Sequence, residues 1–266
     1  WRLRRTRWFQ AVQRRFDFMA YARLKNTSYH MAVHCLRDMP WLLGRTVAEP
    51  EVQSTLSELN QILPPKVFWD VGANLGYYSW ILLAANDSLS VRLFEPDPTN
   101  QKLIDKTIRR NHITKAALDR RAISDSIGEI TFLLDERSGA AGQFAQLYES
   151  ASDASIAKSY GLSKTIQVKT TTLDTTVAEG APPPDLMKID VEEAEDLVLA
   201  GGTELLQTGR PVLVMESFRE NALQTLSLHD YCSYHLDDHH NFICLPEPID
   251  DPLRTVIEGL NPWRPR

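Results

Sequence analysis

Cysteine is scarce in this sequence, and its three thiols (Cys35, Cys232 and Cys244) lie far apart without a CxxC pair. This spacing argues against a zinc site and against a disulfide framework. We therefore expect free thiols and a reducing, cytoplasmic setting. The sequence also lacks a run of 18 apolar residues, which argues against a membrane-spanning helix, and we expect no signal peptide.

Charge is distributed unevenly along the chain. The net charge is −6, yet residues 1–25 carry eight Arg or Lys and one acid, which gives +7 there and leaves −13 for the other 241 residues. Aromatic residues such as Trp8, Phe16 and Phe18 are interspersed among these cations. We expect segment 1–25 to form a basic amphipathic helix that either contacts a membrane surface or packs on the rest of the protein. Nucleic acid is not an expected partner, because the rest of the chain is acidic and contains no recognisable nucleic-acid-binding motif.

From residue 66 onward, short apolar segments alternate with helical patterns. We predict strands at 66–71, 90–95, 117–123, 185–190 and 211–216, and helices at 76–86, 98–111 and 193–200. Such alternation forms βαβ units and predicts an α/β protein with a doubly wound, mostly parallel sheet. Residues 1–62, with breaks near Pro40 and Pro50, are predicted to be a helical extension of a domain that covers 63–266.

Three segments depart from this alternation. Residues 128–134 and 166–173 alternate polar and apolar side chains, as half-exposed strands do. Residues 135–165 between them are rich in Ser, Ala and Gly, and are predicted to form an inserted, lid-like loop. Residues 231–245 are predicted to form an antiparallel hairpin that closes the sheet.

The first predicted strand ends in a turn with the pattern D-x-G-x-x-x-G, from Asp70 to Gly76. Glycine is needed where φ is positive or where a ligand approaches the backbone, and ligands of open sheets bind at these strand ends. The spacing differs from the G-x-G-x-x-G of dinucleotide sites, and no phosphate-binding lysine motif is present. S-adenosyl-L-methionine has no pyrophosphate. Turn amides can take its carboxylate, and Asp70 suits its positive charges.

Glu95 supports this interpretation, because it ends the second predicted strand, 25 residues after Asp70. A carboxylate at that place can accept both ribose hydroxyls of a nucleoside ligand. The turn and Glu95 together predict a binding site for S-adenosyl-L-methionine.

Five separated motifs resemble the FkbM-type methyltransferases in order and spacing. They run from Trp69 to Ser79, Phe94 to Pro98, Ala122 to Asp125, Leu173 to Asp174, and Met187 to Glu195. The resemblance covers about 66–245. It implies a Rossmann-like class I methyltransferase fold with a seven-stranded sheet, and methyl transfer to a hydroxyl of a sugar or natural product.

The resemblance also implies roles for individual residues. Those that would line the methionine part of the cofactor are Asp70, Gly72, Asn74, Gly76 and Ser79. Glu95 would bind the ribose, Pro96 and Asp97 would flank the adenosine, and Ala122 and Ile123 would lie near the adenine. The chain departs from the family pattern at Glu193, where the family has Gly, and this leaves the substrate class open.

Carboxylates cluster at the ends of the fourth and fifth predicted strands. Asp190 and Glu216 end these strands, and Glu192 and Glu195 follow Asp190. Methyl transfer to an alcohol needs an aligned acceptor and a proton acceptor, for which Asp190 is the leading candidate. Glu192 and Glu195 also fit a structural role at a helix N-terminus. Lys188 is expected to point the other way and is given no catalytic role.

A second mechanism would place Mg²⁺ between Asp190 and Glu216, since all-oxygen ligands suit that ion. Metal-dependent relatives of this fold place an Asp-Asn pair after the fifth strand, but here Glu216 is followed by Ser217. The sequence therefore favours a mechanism without metal.

Other interpretations stay open. An N- or protein methyltransferase is disfavoured by the absence of an Asn/Asp-Pro-Pro-Tyr-type tetrapeptide after the fourth strand. A binding protein that lost catalysis is disfavoured by the intact turn and Glu95.

Two groups of histidines are ambiguous. His30 and His34, on a predicted helix, could reach the active-site mouth or form a surface pair, whereas those of the hairpin turn (His235, His239 and His240) are expected to be solvated.

Overall fold

A computed structural model describes residues 15–25, 27–42, 49–135, 143–144, 162–236 and 240–265 of the chain. The strands are β1 Met19–Arg23, β2 His30–His34, β3 Val67–Val71, β4 Ser90–Phe94, β5 Ala116–Asp119, β6 Ala122–Ile123, β7 Gly128–Asp135, β8 Gln143–Phe144, β9 Leu162–Thr171, β10 Leu186–Ile189, β11 Val212–Glu216, β12 Tyr231–His235, β13 Asn241–Pro246 and β14 Asn261–Pro262. The α-helices are α1 Met39–Leu42, α2 Pro50–Ile62, α3 Tyr77–Ala85, α4 Pro98–Arg110, α5 Leu173–Ala178, α6 Glu195–Ala200, α7 Glu220–Leu228 and α8 Asp251–Val256, and a π-helical turn spans Leu205–Gly209.

The main sheet is mixed and has eight strands in the order β14-β12-β13-β11-β10-β3-β4-β5. The five strands from β11 to β5 are parallel, and β13, β12 and β14 are antiparallel. The prediction of a seven-stranded, mostly parallel sheet therefore needs correction, although the C-terminal hairpin is confirmed. Every residue of β10 is buried, as expected for a strand covered on both faces.

A second sheet has the order β6-β9-β7-β8. Its strands β7 and β9 confirm the segments predicted as half-exposed strands, while β8 and the start of β9 lie where a lid-like loop was predicted. The single strand predicted at 117–123 is wrong, because the chain leaves the main sheet after β5 and enters the second sheet at β6. The cause is local. Asp119 Oδ1 accepts a hydrogen bond from the backbone N–H of Arg121 at 3.1 Å, which turns the chain between the two strands. Most of the predicted lid at 135–165 lies outside the described residues.

The N-terminal segment contains a β-hairpin where a helix was predicted. β1 pairs antiparallel with β2, and alternate residues of β1 are exposed (Tyr21, Arg23) or buried (Ala22). The end of β1 therefore follows the two-residue period of a strand, whereas the three central residues of β2 are all buried. His30 and His34 lie at the two ends of β2, so the prediction that they form a helical pair is wrong. Residues 1–14 lie outside the described part, while α2 confirms a helix that starts at Pro50.

The hairpin is part of the main hydrophobic core. Met31, Ala32 and Val33 are fully buried with Leu56 of α2 and Leu93 of β4. Burying a side chain such as Met or Val contributes about 1.5–3 kcal/mol. The backbone N–H of Ala32 also donates to Thr107 Oγ1 of α4 at 2.9 Å. The segment before the sheet is therefore packed on the α/β unit through its own core residues.

The opposite face of the main sheet has a second core, which contains Trp69, Phe94, Ile189, Leu199 and Leu213. Because alternate residues of β3 point to opposite faces, Phe68 and Trp69 enter different cores. Asp70 follows them and is brought to the edge where the parallel strands end. Among the described residues, no helix is long and apolar enough to cross a membrane. The three cysteines are free thiols.

Candidate active site

The loop after β3 makes the tight turn that the glycine spacing predicts. Gly72 and Gly76 have φ of +78° and +76°, where residues with a Cβ are strained. A Cβ on Gly72 would lie 1.8 Å from the carbonyl oxygen of Asp190, and one on Gly76 would lie 2.7 Å from side-chain atoms of Leu93 and Trp80. The two glycines therefore let the turn pack against the end of β10 and against the core.

Several backbone N–H groups of this turn are already bonded within the protein. Gly72 and Ala73 both donate to the carbonyl oxygen of Phe94, at 3.1 and 3.0 Å. Asn74 donates to Glu95 Oε2 at 2.7 Å. These three amides therefore each have a partner inside the protein, and the expectation that turn amides bind a cofactor carboxylate stays a prediction.

Two buried oxygen atoms of the turn have no hydrogen-bond partner among the described residues: Asp70 Oδ1 and Asn74 Oδ1. Asp70 is 1% exposed, and its other carboxylate oxygen accepts from Ser79 Oγ at 2.6 Å. Burial raises the pKa of Asp70, and the neighbouring Lys188 charge opposes that rise. A buried acceptor without a partner destabilises the protein. These atoms therefore mark a place where a ligand with donors or positive charge is stabilised.

Glu95 lies directly after β4, as predicted, and is buried. Its Oε1 accepts from the backbone of Asp97 at 2.8 Å, its Oε2 accepts from Asn74, and the side chain of Asn100 also donates to it. Burial raises the pKa of Glu95 to about 8 even though these donors favour the ionised form. A carboxylate offers about four lone-pair sites, so Glu95 can still accept from one further donor, such as one hydroxyl of a ribose.

The other residues assigned to the adenosine have structural roles. Asp97 caps α4 by accepting from the backbone N–H two residues further on, at 2.6 Å. The carbonyl of Pro96 accepts from Gln101 Nε2 at 3.1 Å. Ala122 and Ile123 form β6 and are buried in the apolar cores. Their contact with an adenosine stays a prediction.

The three carboxylates predicted to be catalytic are brought together at the ends of β10 and β11. Glu216 is hydrogen bonded to Asp190, and the charges of Asp190 and Glu192 both act on it. Burial, followed by these two negative charges, raises the pKa of Glu216 to about 9. A hydrogen bond between two carboxyl groups requires a proton, and the raised pKa of Glu216 favours the presence of that proton in the pair.

Lys188 lies within this carboxylate cluster, so the expectation that it points away is wrong. Its Nζ is 2.7 Å from Asp190 Oδ2, and it is the register partner of Asp70 on the neighbouring strand. Burial lowers the pKa of Lys188, but the charges of Asp190 and Asp70 outweigh burial and raise it. Residues two apart on a strand share a face. That rule, applied to positions 188 and 190, predicts this contact.

Two further residues of the cluster were missed from the sequence. Tyr78 donates its hydroxyl to Glu49 Oε2 at 2.8 Å, and its ring centre is 5.1 Å from Lys188 Nζ. The charge of Glu49 also acts on Lys188 and on Glu216. Glu49 immediately precedes α2, so the N-terminal part of the chain supplies a carboxylate to this site. No sequence motif connects position 49 with the sheet.

The loop between β10 and α6 has a strained backbone. Glu192 and Glu193 have φ of +54° and +75°. The glycine of the family pattern at position 193 is explained by this conformation, because glycine adopts positive φ without strain. Glu195 accepts from the backbone of Val191 at 3.2 Å, and burial raises the pKa of Glu195 to about 7. Glu195 therefore stabilises its own loop.

In the described ranges, no group of three or more His, Cys, Asp or Glu is arranged to hold a metal ion. Asp190 and Glu216 are bonded to each other, and Lys188 adds a positive charge beside them. This arrangement does not resemble an all-oxygen cation site.

His235 is the hairpin histidine that ends β12. Its ring centre is 4.6 Å from that of Phe242, and 237–239 lie outside the described residues.

The fold and this site together define a methyltransferase-like α/β protein, with five parallel strands, a C-terminal antiparallel hairpin, a glycine turn and an acidic residue at the end of β4. Residues 70–242 match the family described as Methyltransferase FkbM domain. The match covers more than half of the chain, and the protein belongs to the FkbM methyltransferase family.

Solved structures give more distant similarities. The methyltransferase FkbM from Methylobacillus flagellatus is 15% identical, with a TM-score of 0.47, and the alignment covers 68% of this chain but only 43% of that one. An O-methyltransferase from Bacillus cereus, solved in complex with S-adenosylhomocysteine, is 12% identical, with a TM-score of 0.45 and coverage of 75% and 81%. No curated protein sequence gives a significant match.

Proposed function

We propose that this protein is an S-adenosylmethionine-dependent O-methyltransferase that acts on a hydroxyl of a sugar or natural product. The observation that carries the proposal is the pair of buried, unpartnered acceptor oxygens on the turn, Asp70 Oδ1 and Asn74 Oδ1. The cofactor is cationic and carries ammonium and hydroxyl donors, which suit these acceptors and Glu95. When bound, it would supply an electrophilic methyl group.

The contribution of the chain is to hold the acceptor hydroxyl and to take its proton. Asp190 has one carboxylate oxygen bonded to Lys188 Nζ at 2.7 Å, and its side chain is 24% exposed. Glu216 is hydrogen bonded to Asp190, and burial together with the neighbouring negative charges raises the pKa of Glu216. We assign Asp190 as the general base, because it is the carboxylate that contacts the Lys188 ammonium and that a ligand can reach.

The charge of the cluster supports a neutral, hydroxyl-rich acceptor such as a glycan. Glu49 and Glu192 add carboxylates around Lys188 and Asp190. Carboxylates accept hydrogen bonds from hydroxyl groups but repel phosphate and carboxylate substituents. The alternatives are an N- or protein methyltransferase and a non-catalytic binding protein on the same fold.

Binding is tested first, by calorimetry of the purified chain with S-adenosylhomocysteine. We expect binding by the wild-type chain and loss of at least tenfold in affinity for Asp70→Ala and for Glu95→Ala. Asp105→Ala, which removes an exposed ion pair with Arg120 on α4, is the matched control and is expected to bind normally. Absence of binding by the wild-type chain contradicts the proposal.

The acceptor is tested by transfer of a radiolabelled methyl group to glycans, small alcohols and proteins. Label on a glycan or alcohol that disappears with Asp190→Asn supports O-methylation. Label on protein amines supports the first alternative. Binding of the cofactor with no transfer to any acceptor class favours the non-catalytic alternative.

We also propose that the N-terminal segment contacts an anionic membrane surface. Phe16 and Phe18 are 59% and 68% exposed next to basic residues of β1 and its flanks (Arg15, Arg23 and Lys25). Exposed aromatics among cations are typical of interfacial binding. Vesicles with phosphatidylserine are expected to sediment the wild-type chain at low salt. A Phe16→Ser/Phe18→Ser variant that sediments equally well contradicts the proposal.

A further inference from the structure

We propose that Asn100, held in place by Arg37, is a positioning residue for Glu95, so that the segment before the family domain completes the cofactor site. This inference rests on the proposed function, because it requires Glu95 to contact the ribose of the cofactor. Arg37 lies between β2 and α1, and residues 70–242 are the part that matches the family. The contact therefore links an element outside that match to a predicted cofactor residue.

The geometry forms a chain of three side chains from the N-terminal segment to the site. Arg37 is 6% exposed, and its Nη2 donates to Asn100 Oδ1 at 2.9 Å. Its guanidinium is also held by Asp38, through Nε at 2.9 Å and Nη2 at 3.1 Å. Asn100, in the first turn of α4 and 4% exposed, donates in turn to Glu95.

Arg37 determines which end of the Asn100 amide faces Glu95. A guanidinium can only donate hydrogen bonds, so the amide oxygen must face Arg37. The amide NH₂ group then faces Glu95, which gives this carboxylate its third donor besides the backbone N–H groups of Asn74 and Asp97. A shell composed only of donors stabilises the ionised carboxylate, which is the form that accepts most strongly from a ribose hydroxyl at its remaining lone-pair site.

The ionisation of Glu95 gives this role a signature that packing alone does not produce. Burial, and after it the charge of Asp97, raise the pKa of Glu95, the donors lower it, and the net result is a pKa of about 8. The charged groups of the N-terminal segment next to Asn100 are Arg37, which donates to it, and Asp38, which is paired with Arg37. Loss of the Asn100 donor is expected to raise the pKa of Glu95 by about one unit, which corresponds to about tenfold less ionised carboxylate at pH 7.5.

The experiment measures the affinity of the full chain for S-adenosylhomocysteine by calorimetry from pH 6.5 to 9.5. 5′-Methylthioadenosine is measured in parallel, because it has no amino-acid group that titrates in this range. The test variant is Asn100→Ala, with Asn100→Leu, which has a similar size and no donor, as a second variant if the first unfolds. The matched control is Asn111→Ala. Asn111 lies at the other end of α4 and also anchors the N-terminal segment, through its bonds to the backbone of His30 at 2.8 Å.

We expect the wild-type affinity for both ligands to rise with pH toward about 8 and then to level off. For Asn100→Ala we expect about tenfold weaker binding at pH 7.5 that returns to within about threefold of the wild type at pH 9.5. Asn111→Ala should lower affinity little and equally at all pH values. If the two variants have the same pH-independent loss, Asn100 is only structural and the inference is overturned.

Two controls separate this inference from the proposed function. If the wild-type chain binds neither ligand, the proposed function fails and the inference fails with it. If the wild-type chain binds but Glu95→Gln binds as tightly, the cofactor site does not include Glu95 and only the inference is overturned. Thermal melts of each variant at pH 7.5 confirm that the proteins compared are folded.

Discussion

Glu193 offers a sharp test of how the backbone of the active-site loop stores strain. Its φ of +75° follows one of +54° at Glu192, and a residue with a Cβ in this region is destabilised by about 1–2 kcal/mol. Replacement by Gly removes that strain but adds conformational entropy to the unfolded chain, about 0.5–1 kcal/mol. It also removes the exposed ion pair between Glu193 and Arg219, which contributes about 0–1 kcal/mol.

Comparison with Glu193→Ala isolates the backbone contribution. The alanine variant loses the ion pair, as the glycine variant does, but keeps a Cβ. The difference in unfolding free energy between the two variants therefore equals the backbone strain minus the entropic cost of glycine. We expect Glu193→Gly to be more stable than Glu193→Ala by about 1 kcal/mol in urea unfolding. This corresponds to a Tm difference of about 2–4 °C. If glycine is no more stable than alanine, the strain argument is refuted.

Three further predictions follow from the site. Gly72→Ala would place a Cβ 1.8 Å from the carbonyl oxygen of Asp190, so we expect a loss of more than about 2 kcal/mol in unfolding free energy. Gly180 also has a positive φ but no atom within 4 Å of an added Cβ, so Gly180→Ala should lose less stability. Lys188→Met leaves Asp70 and Asp190 without their shared cation. Urea unfolding should show a loss of about 3–5 kcal/mol in unfolding free energy. The control Lys102→Met, at an exposed position of α4, should show no such loss. The raised pKa values of Glu216 and Glu95, about 9 and 8, mean that the folded apo protein binds more protons than the unfolded chain above pH 5. Its Tm should therefore fall as the pH rises from 5 to 9, and Glu216→Gln should flatten that fall; an unchanged slope in the variant contradicts the assignment.

The parallel strands and their ends were predictable because buried strands and glycine turns leave local patterns. The segment from Asp70 to Gly76 and the positions of Glu95, Asp190 and Glu216 are examples. The hairpin at 19–34 was missed because its alternation spans only a few residues and lies among helix-forming neighbours. Tertiary contact with α4 decides its conformation, and no local pattern encodes that contact.

The carboxylates at the strand ends were predictable, but Glu49, Tyr78 and the position of Lys188 beside them were not. The strand period links Lys188 to Asp190, yet its position beside Asp70 depends on the register of β10 against β3. The contribution of Glu49 depends on a contact with Tyr78, 29 residues away in the chain. Such contacts depend on how elements pack, and a single sequence contains no direct record of them.

The hairpin of β1 and β2 also has a consequence for the order of events during synthesis. Its partner on α4 is distant in the chain, since His30 and Asn111 are 81 residues apart. At about 5–20 residues per second, translation needs roughly 4–16 s to deliver that partner after His30 has been made. Met31 and Val33, which are fully buried in the finished protein, have no α4 to cover them during that interval. The hairpin is thus a segment on which a chaperone would have several seconds to act before its own partner has been made.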